Sequence, residues 1–425
     1  MKGIKIMAFA FVIMLVVTAV VMNVGTVVAE EPQQPEITLP SHVPISIVGN
    51  SEFTVGNGVS SGTGTSGDPY IIENWDINGT GYGYSIYIDD TTDYFVIRNC
   101  NLYDAYVLFG DSIEIRISNS TNGLIINNTI SNSQHGIEIF ESSNTTVQNN
   151  NITEVWNYPI RLTNSYNVSF LNNSIYNCDD YGISLEGQSS NNNTVRENRI
   201  INSNFGIYND QSIDNTTIID NYIYNSIVGI WIDDLSNYCA IENNTIDISV
   251  EQSIAIYNGD NCTIIGNRMS NSSGHGLWLD RAKNNTIYHN NFLDNVVHAF
   301  DNDGNNSWNG TYEQGGNFWD NYTGVDNFQG ENQDIAGSDE IGDTPYYWIE
   351  NNLTQDNYPL IEYYEVPVEE FAEEPDTEEE QTAYQVLFGI LVALFPFILL
   401  FLLILLIIKW LVSMINDDGD KKIGG

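Results

Sequence analysis

The chain has 425 residues, and its 56 Asp and Glu against 13 Lys and Arg give a net charge of −43. A chain this acidic repels nucleic acid and anionic lipid head groups, which excludes both as principal ligands. Hydrophobic residues make up 42% of the sequence, which excludes a disordered chain and leaves enough apolar surface for a large core.

A secretory signal peptide is predicted over residues 1–29. Lys2 and Lys5 precede an apolar run over residues 8–22, and Val27-Val28-Ala29 has the small residues of a cleavage site. An uncleaved anchor is the alternative. Both interpretations place the following domain in an oxidising compartment outside the cytoplasm.

An N-terminal cap over residues 37–68 and then a repeat over residues 69–300 are predicted next. The repeat is aligned on an Asn in segments such as VQNNNI and IIDNYI, with steps of 22 to 25 residues. The aligned positions are Asn128, Asn150, Asn173, Asn198, Asn221, Asn244, Asn267 and Asn290. Short segments with apolar residues at alternate positions flank this Asn, which is typical of β-strands.

The repeat predicts an all-β protein, a right-handed parallel β-helix of about ten rungs with about 23 residues each. One such rung cannot bury its apolar side alone, whereas stacked rungs bury a continuous column of Ile, Val and Leu. Asn tolerates left-handed turns, and stacked Asn side chains can hydrogen-bond along the stack. A leucine-rich repeat of similar period is the alternative, although the columns here are β-branched and lack helical periodicity.

Four further segments are predicted towards the C-terminus. They are a C-terminal cap over residues 301–361, an acidic stalk over 362–384, a transmembrane helix over 385–408 and a cytoplasmic tail over 409–425. The 24 residues of the helix carry no charge and span roughly 36 Å at 1.5 Å per residue, enough to cross a bilayer. Lysines beyond the helix place the tail on the cytoplasmic side.

Two flanking motifs carry a family resemblance. GNGVSSGTGTSGDPYIIENWDI before the repeats, and NSWNGTYEQGGNFWDNYTG with DEIGDTPYYWIENNLTQDNYPLI after them, resemble the entry and closing segments of NosD/CASH-type β-helices with PbH1 repeats. The resemblance covers about residues 40–362 and implies a secreted surface protein of archaeal type. NosD proteins are associated with copper delivery, so the resemblance also raises that role.

A second motif is similar to the active site of polygalacturonases, which carry Gly-His-Gly and Arg-Ile-Lys. Here Gly274-His275-Gly276 precedes Arg281-Ala282-Lys283, and Asp233 and Asp234 are the candidate carboxylates. However, His275-Gly276 occupies the repeat position that other rungs fill with a bulky residue and Gly. These residues are therefore weak catalytic candidates, and the repeat explains the motif without catalysis.

Candidate metal ligands fall into two groups. His275 and His298 are predicted to stack on successive rungs, as a pair of copper ligands would, and a surface column of two imidazoles without metal is the alternative. Asp339, Glu340 and Asp343 lie in Gly-containing loops of the C-terminal cap, a setting that suits Ca²⁺. Calcium is therefore a candidate cofactor, with a plain acidic surface as the alternative.

The predicted ligand-binding residues are aromatic. Trp231 and Trp278 occupy one repeat position two rungs apart, and Tyr257 lies near the same face. A row of rings on a flat sheet can stack on sugar rings, although ordinary packing of aromatic side chains on a sheet also produces such rows.

Cysteines and sequons complete the candidates. Cys239 and Cys262 are 23 residues apart, so they stack about 4.8 Å apart, close enough for a disulfide but with parallel side chains that would strain it. Both the disulfide and free thiols stay open. Seventeen Asn-x-Ser/Thr sequons lie outside the predicted membrane span, and Asn columns next to Thr also create them without selection. They include Asn127, Asn144, Asn243, Asn261 and Asn284.

Together these features predict a single-pass membrane protein whose large N-terminal domain is extracellular. It binds or scaffolds glycans or envelope proteins at the cell surface. A polysaccharide-degrading hydrolase or lyase on the same β-helix is the alternative, and copper delivery of the NosD kind is the second.

Overall fold

The computed structural model describes residues 39–108, 110–210, 212–302, 305–351 and 354–365. The predicted signal peptide, transmembrane helix and cytoplasmic tail, and the stalk beyond residue 365, lie outside these residues. Among the described residues, no helix has the length and apolar character needed to cross a bilayer.

The described chain is built from short β-strands and two 3₁₀ turns, Asn50–Glu52 and Val55–Asn57. The strands are β1 (Ile45–Val48), β2 (Val59–Ser61), β3 (Tyr70–Glu73), β4 (Asp76–Asn78), β5 (Tyr84–Asp89), β6 (Phe95–Arg98), β7 (Asn101–Tyr103), β8 (Ile113–Ser118), β9 (Gly123–Ile126), β10 (Thr129–Phe140), β11 (Thr146–Gln148), β12 (Asn151–Thr163), β13 (Ser169–Leu171), β14 (Ser174–Tyr176), β15 (Tyr181–Glu186), β16 (Thr194–Arg196), β17 (Arg199–Asn209), β18 (Thr217–Ile219), β19 (Tyr222–Ile232), β20 (Ala240–Glu242), β21 (Thr245–Tyr257), β22 (Thr263–Ile265), β23 (Arg268–Ser270), β24 (His275–Asp280), β25 (Thr286–Tyr288), β26 (Asn291–Leu293), β27 (Val297–Asp301), β28 (Phe318–Trp319), β29 (Phe328–Gln329) and β30 (Ile335–Ala336).

Three faces of stacked strands enclose the core. The first face is an 11-stranded sheet that runs from β2 to β25. The second face holds β4, β7, β14, β23, β26 and β28, and the third holds β1, β5, β8, β15, β24 and β27. The long strands β10, β12, β17, β19 and β21 turn the corner between these two faces, so both belong to one 17-stranded sheet.

The register confirms the β-helix prediction. Ile200 pairs with Ile223, which pairs with Ile246, and each step advances one 23-residue rung in parallel. The inward side chains are buried Ile, Val and Leu in continuous columns. About 11 turns are present, close to the predicted ten, and the described residues contain no α-helix, so the leucine-rich repeat alternative is wrong.

The predicted Asn column forms a buried hydrogen-bonded ladder inside one corner. The backbone N–H and side-chain Nδ2 of Asn198 both donate to Asn221 Oδ1, each at 3.0 Å, and Nδ2 also donates to the Phe170 carbonyl at 2.9 Å. The same pattern repeats from Asn128 to Asn290. An inward amide can donate and accept at once, which explains why this position keeps Asn.

A buried carboxylate ends the ladder. Asn317 continues it from Asn290, and its backbone N–H donates to Asp356 Oδ2 at 2.7 Å. Trp319 Nε1 donates to the same oxygen at 3.0 Å, and the Tyr358 N–H donates to Oδ1 at 3.0 Å. Burial raises the pKa of Asp356 to about 7, although these hydrogen bonds oppose the shift. Asp356 thus supplies the acceptor that the next rung would have provided.

A parallel serine ladder was missed by the sequence interpretation. The Ser142 N–H donates to Ser165 Oγ at 2.9 Å, and the Ser165 N–H donates to Ser190 Oγ at 3.1 Å. These serines are buried and advance by the same steps as the Asn column. A search for any polar residue at the repeat period would have found them.

Glu114 is a buried acid that makes stability depend on pH. Its side chain is fully buried and accepts hydrogen bonds from Ser85 Oγ and the Ala105 N–H. Burial raises the pKa of Glu114 to about 7. Because the folded state holds the proton more tightly than the unfolded chain, the stabilising contribution is full below about pH 4.5 and is lost as the pH rises through 7.

We therefore expect Glu114→Gln to gain stability relative to the wild type as the pH rises from 4.5 to 8. The gain over this range is roughly 3 kcal/mol, because one pKa unit corresponds to about 1.4 kcal/mol. Urea denaturation of both proteins at several pH values measures it, since other titrating groups cancel in the difference. A difference that stays flat with pH would contradict the assignment.

Candidate functional site

The outward side chains of the third face form straight columns, because alternate residues of each strand point away from the core. The central column contains Tyr87, Arg116, Glu138, Arg161, Ser184, Tyr208, Trp231, Ala255, Trp278 and Phe300, each paired with the next along the stack. The register confirms that Trp231 and Trp278 share one position two rungs apart, with Ala255 between them.

Beside the central column, rings stack on successive rungs. His135, Tyr158, Tyr181 and Phe205 have ring centroids 5.3, 5.0 and 5.1 Å apart, and the planes of Tyr158 and Tyr181 differ by only 2°. Trp231 lies 5.4 Å from Phe205. We call these five residues with Tyr208 the aromatic row. All of them except the buried His135 are partly exposed, so the row presents ring surface to solvent.

Charged side chains alternate along one end of this row. Arg116 lies 3.3 Å and Arg161 3.6 Å from the two carboxylate oxygens of Glu138, and Arg161 also donates to Glu186 at 2.6 Å. Burial raises the pKa of Glu138, and the two guanidinium groups oppose that shift. Arg161 also lies over the Tyr158 ring at 4.7 Å. The network holds the rings and their polar neighbours in fixed positions.

His135 lies under this network as a neutral ring. Burial lowers the pKa of His135 to about 4, so the imidazole carries no charge at neutral pH. Its Nδ1 atom is buried and has no hydrogen-bond partner among the described residues. His135 therefore contributes a ring to the row and no charge.

Two carboxylates converge on one phenol at the other end of the row. Tyr208 Oη lies 2.9 Å from Asp233 Oδ2 and 3.1 Å from Asp210 Oδ1. Burial raises the pKa of Tyr208, and both carboxylates add to the shift, so the phenol stays protonated. A phenol has one proton, so it can donate to only one of the two carboxylates at a time. The other carboxylate remains available to accept from a ligand hydroxyl.

A second aromatic patch follows beyond Ala255. The Trp278 ring stacks 6.5 Å from Tyr257 and 6.0 Å from Phe300, and Arg281 donates to Tyr257 Oη at 2.6 Å. The predicted ligand residues Trp231, Trp278 and Tyr257 thus all lie on the third face. The sequence interpretation missed the aromatic row on the preceding rungs. Reading the residue three positions before Glu138, Arg161, Ser184 and Tyr208 would have shown His, Tyr, Tyr and Phe in succession.

The structure does not bring the predicted catalytic residues together. His275 pairs with Gln252 on the rung below and lies 3.2 Å from Glu350, whereas Asp233 contacts Tyr208 and Asp234 accepts from Asn258. Two rungs and five residues along a strand separate His275 from Asp233, about 10 Å and about 16 Å in the two directions. The Gly-His-Gly motif therefore belongs to the repeat.

The predicted His275–His298 stack is wrong. Val297 pairs with His275, because the last rung is one residue shorter than the repeat. A one-residue shift turns a side chain to the opposite side of the strand, so His298 is buried and its Nε2 lies 2.8 Å from Asp320. The histidines present therefore do not fit a copper site of stacked imidazoles.

The carboxylates in the loops of the C-terminal cap accept hydrogen bonds from other groups of the cap. Asp339 accepts from Tyr312 Oη and the Ile341 N–H, and Asp343 accepts from the N–H groups of Asn327 and Phe328. Glu340 donates its own N–H to Asp326. Among the described residues, no group of three or more His, Cys, Asp or Glu side chains is placed to hold a metal ion. Calcium and copper thus gain no support from these residues.

The four cysteines are buried free thiols. Cys239 and Cys262 stack on adjacent rungs as predicted, and no disulfide joins them. The hydrogen bond between these two thiols and the burial of Cys239 raise the pKa of Cys239. Burial raises the pKa of Cys100 to about 11 and that of Cys178 to about 12. Metal binding and nucleophilic chemistry both require a thiolate, which these environments disfavour.

Family comparisons agree with this architecture. Residues 57–223 match the family described as right-handed β-helix region, which defines the class of protein. Residues 233–324 match the family described as periplasmic copper-binding protein (NosD). Together with the parallel β-helix of the structure, these two matches support a NosD-type right-handed β-helix. A search of curated proteins finds no significant match.

Solved structures with similar folds include enzymes and an adhesin. The periplasmic alginate epimerase AlgG is 15% identical, with 61% of this chain and 72% of the epimerase covered at a TM-score of 0.43. The Streptococcus pneumoniae surface protein and adhesin PfbA is 13% identical, with coverage of 51% and 78% at 0.40. DFA-IIIase from Arthrobacter chlorophenolicus A6 is 12% identical, with coverage of 56% and 67% at 0.38. At these identities and TM-scores, none of the similarities carries an argument about this chain.

Proposed function

We propose that the third face binds a polysaccharide, which lies along the stack of rungs. The observation that carries this proposal is the aromatic row, in which partly exposed rings follow one another at intervals of 5.0 to 5.4 Å. Because neighbouring rings stack on each other, their exposed edges form an apolar strip that can contact the C–H faces of sugar rings. The flanking Arg161, Glu186 and Asp233 can exchange hydrogen bonds with sugar hydroxyls, as binding sites with few polar groups do.

The charge of this face favours neutral or amino sugars over polyuronates. The two guanidinium groups beside the aromatic row, on Arg116 and Arg161, are already paired with Glu138 and Glu186. Asp210 and Asp233, which both contact Tyr208 Oη, add two carboxylates near Trp231. A polyanionic chain would therefore be repelled both locally and by the net charge of −43.

The two ends of the chain suggest where the protein acts in the cell. We infer an exported protein anchored to the membrane, with the leader over residues 1–29 and the apolar segment over 385–408 as its two signals. On this account the β-helix binds glycans, or envelope proteins that carry them, outside the cell.

Affinity retention tests the proposal. The purified full chain is passed over neutral, amino-sugar and polyuronate polysaccharides, with and without Ca²⁺. We expect retention on a neutral or amino-sugar polymer that does not depend on Ca²⁺, because the described carboxylates form no metal site. Retention confined to polyuronates would contradict the charge argument, and no retention on any polymer would contradict the proposed function.

A polysaccharide hydrolase on the same face is the second candidate. Asp210 and Asp233 both lie within hydrogen-bonding distance of Tyr208 Oη, so their carboxylates are close together, as in glycosidases that use a carboxylate pair. Reducing ends measured in the same retention experiment decide between binding and hydrolysis. An enzyme would release new reducing ends, and Asp233→Asn would abolish their release. A binding protein releases none.

A further inference from the structure

The corner between the third and first faces carries a column of exposed asparagines. Seven successive rungs place one residue here with φ between 50° and 59°, the left-handed region. Six of these residues are Asn144, Asn167, Asn192, Asn215, Asn261 and Asn284, and the seventh is Tyr238. All seven side chains are exposed.

A hydroxyl residue stands two positions after each of these asparagines. The hydroxyl residues are Thr146, Ser169, Thr194, Thr217, Thr263 and Thr286. They are partly exposed and pair rung to rung as the first outward residue of each strand on the first face. The residue between each pair is buried and is never proline. Each of these six rungs thus presents a complete Asn-x-Ser/Thr sequon, whereas the Tyr238 rung does not.

The turn itself does not require this combination. Asn122 makes the same left-handed turn one rung earlier, although Leu124 stands where the hydroxyl would be. Tyr238 makes it without Asn, and on that rung Ala240 replaces the hydroxyl residue. The Asn and the hydroxyl are therefore separable structurally, yet they occur together on six rungs and are lost together on the seventh.

We propose that this corner is a modification site, a stripe of N-glycosylation acceptors along the β-helix. A transferase outside this chain would supply a sugar from a pyrophosphate-linked lipid donor. A bond forms between the Asn Nδ2 and the sugar anomeric carbon, and the bond from that carbon to the donor oxygen breaks. The pyrophosphate leaves with the electron pair, and the amide proton passes to base. Glycosylation of the stripe requires export of the chain, and it does not require glycan binding by the third face.

Rung spacing limits how many acceptors carry sugar at once. Neighbouring acceptors are one rung apart, about 4.8 Å, and a branched sugar chain is wider than that. We therefore expect partial occupancy at each site, with neighbouring rungs competing. Such a stripe leaves the rings of the third face uncovered and flanks them with attached sugar.

Glycopeptide mapping of the protein from its native cells tests the proposal. We expect sugar on several of the six acceptors, with occupancy near half. Thr217→Val should abolish modification of Asn215 while keeping a β-branched residue, and Thr217→Ser, which preserves the sequon, should retain it. Bare peptides at all six acceptors, or sugar on Asn215 in Thr217→Val, would overturn the proposal.

A gain-of-site variant tests the role of the corner geometry. Tyr238→Asn with Ala240→Thr completes the missing sequon, so we expect sugar at position 238 and reduced occupancy on Asn215 or Asn261. A bare position 238 would overturn the proposal that this corner is a modification site. Retention of these variants on polysaccharide is measured in parallel, so a failed stripe is distinguishable from a failed third-face site.

Discussion

Replacing Asn221 with alanine is expected to lower the free energy of unfolding by about 4 kcal/mol, because each buried polar group left without a partner costs about 1–3 kcal/mol. Asn221 Oδ1 accepts from both the backbone and the side chain of Asn198, and Asn221 Nδ2 donates to the Val195 carbonyl at 2.9 Å. Alanine removes the acceptor of the buried Asn198 N–H and the side-chain donor to the Val195 carbonyl, and it leaves a space that nothing else fills. Urea denaturation followed by circular dichroism measures the loss.

An exposed asparagine on the same rung provides the control. Asn225 has a φ of 57° and donates to Asn202 at the surface. Glycine adopts this conformation without strain, so Asn225→Gly should change the free energy of unfolding by less than about 0.5 kcal/mol. Equal losses in Asn221→Ala and Asn225→Gly would show that the buried ladder has no special role.

Asp356→Ala is expected to destabilise the C-terminal rungs by about 4 kcal/mol, since it leaves several buried N–H donors without an acceptor. The donors are the Asn317 backbone, Trp319 Nε1 and the Tyr358 backbone. Stacked repeats interact mainly with their neighbours, so the loss should be local. Hydrogen exchange should therefore accelerate near Asn290 and Asn317 and remain slow near Asn173.

The matched control for this variant is the exposed Asp334, and Asp334→Ala should leave exchange unchanged throughout. If Asp356→Ala accelerated exchange equally at Asn173 and Asn317, the carboxylate would contribute to global stability and would not act as a local end to the ladder.

The sequence predicted the features that repeat. Three predicted features follow from one period, because each rung repeats the same backbone path. They are the Asn column, the alternation of inward residues such as Ile200 and Ile223 with outward residues, and the shared position of Trp231 and Trp278. Wherever the period held, counting residues was equivalent to knowing the register.

Prediction failed where the period changed or where no motif marked the residues. The last rung is one residue short, which turned His298 into the core and removed its partnership with His275. The Arg116–Glu138–Arg161 network has no sequence signature, because its members are 22 or 23 residues apart and meet only through rung stacking. Asp356 joins the ladder from a loop outside the repeats, a contact that only the fold of the C-terminal cap creates.

The most direct test of the account compares two pairs of tyrosines. Tyr158 and Tyr181 stack on the third face, and Tyr222 and Tyr224 are an equally parallel pair on the second face. With the polysaccharide that retains the full chain, we expect Tyr158→Ala with Tyr181→Ala to raise Kd by about tenfold or more, since truncating aromatic anchors costs about 2 kcal/mol. Tyr222→Ala with Tyr224→Ala should leave Kd unchanged. Unchanged affinity in the first double variant, or equal loss in both, would contradict glycan binding by the third face.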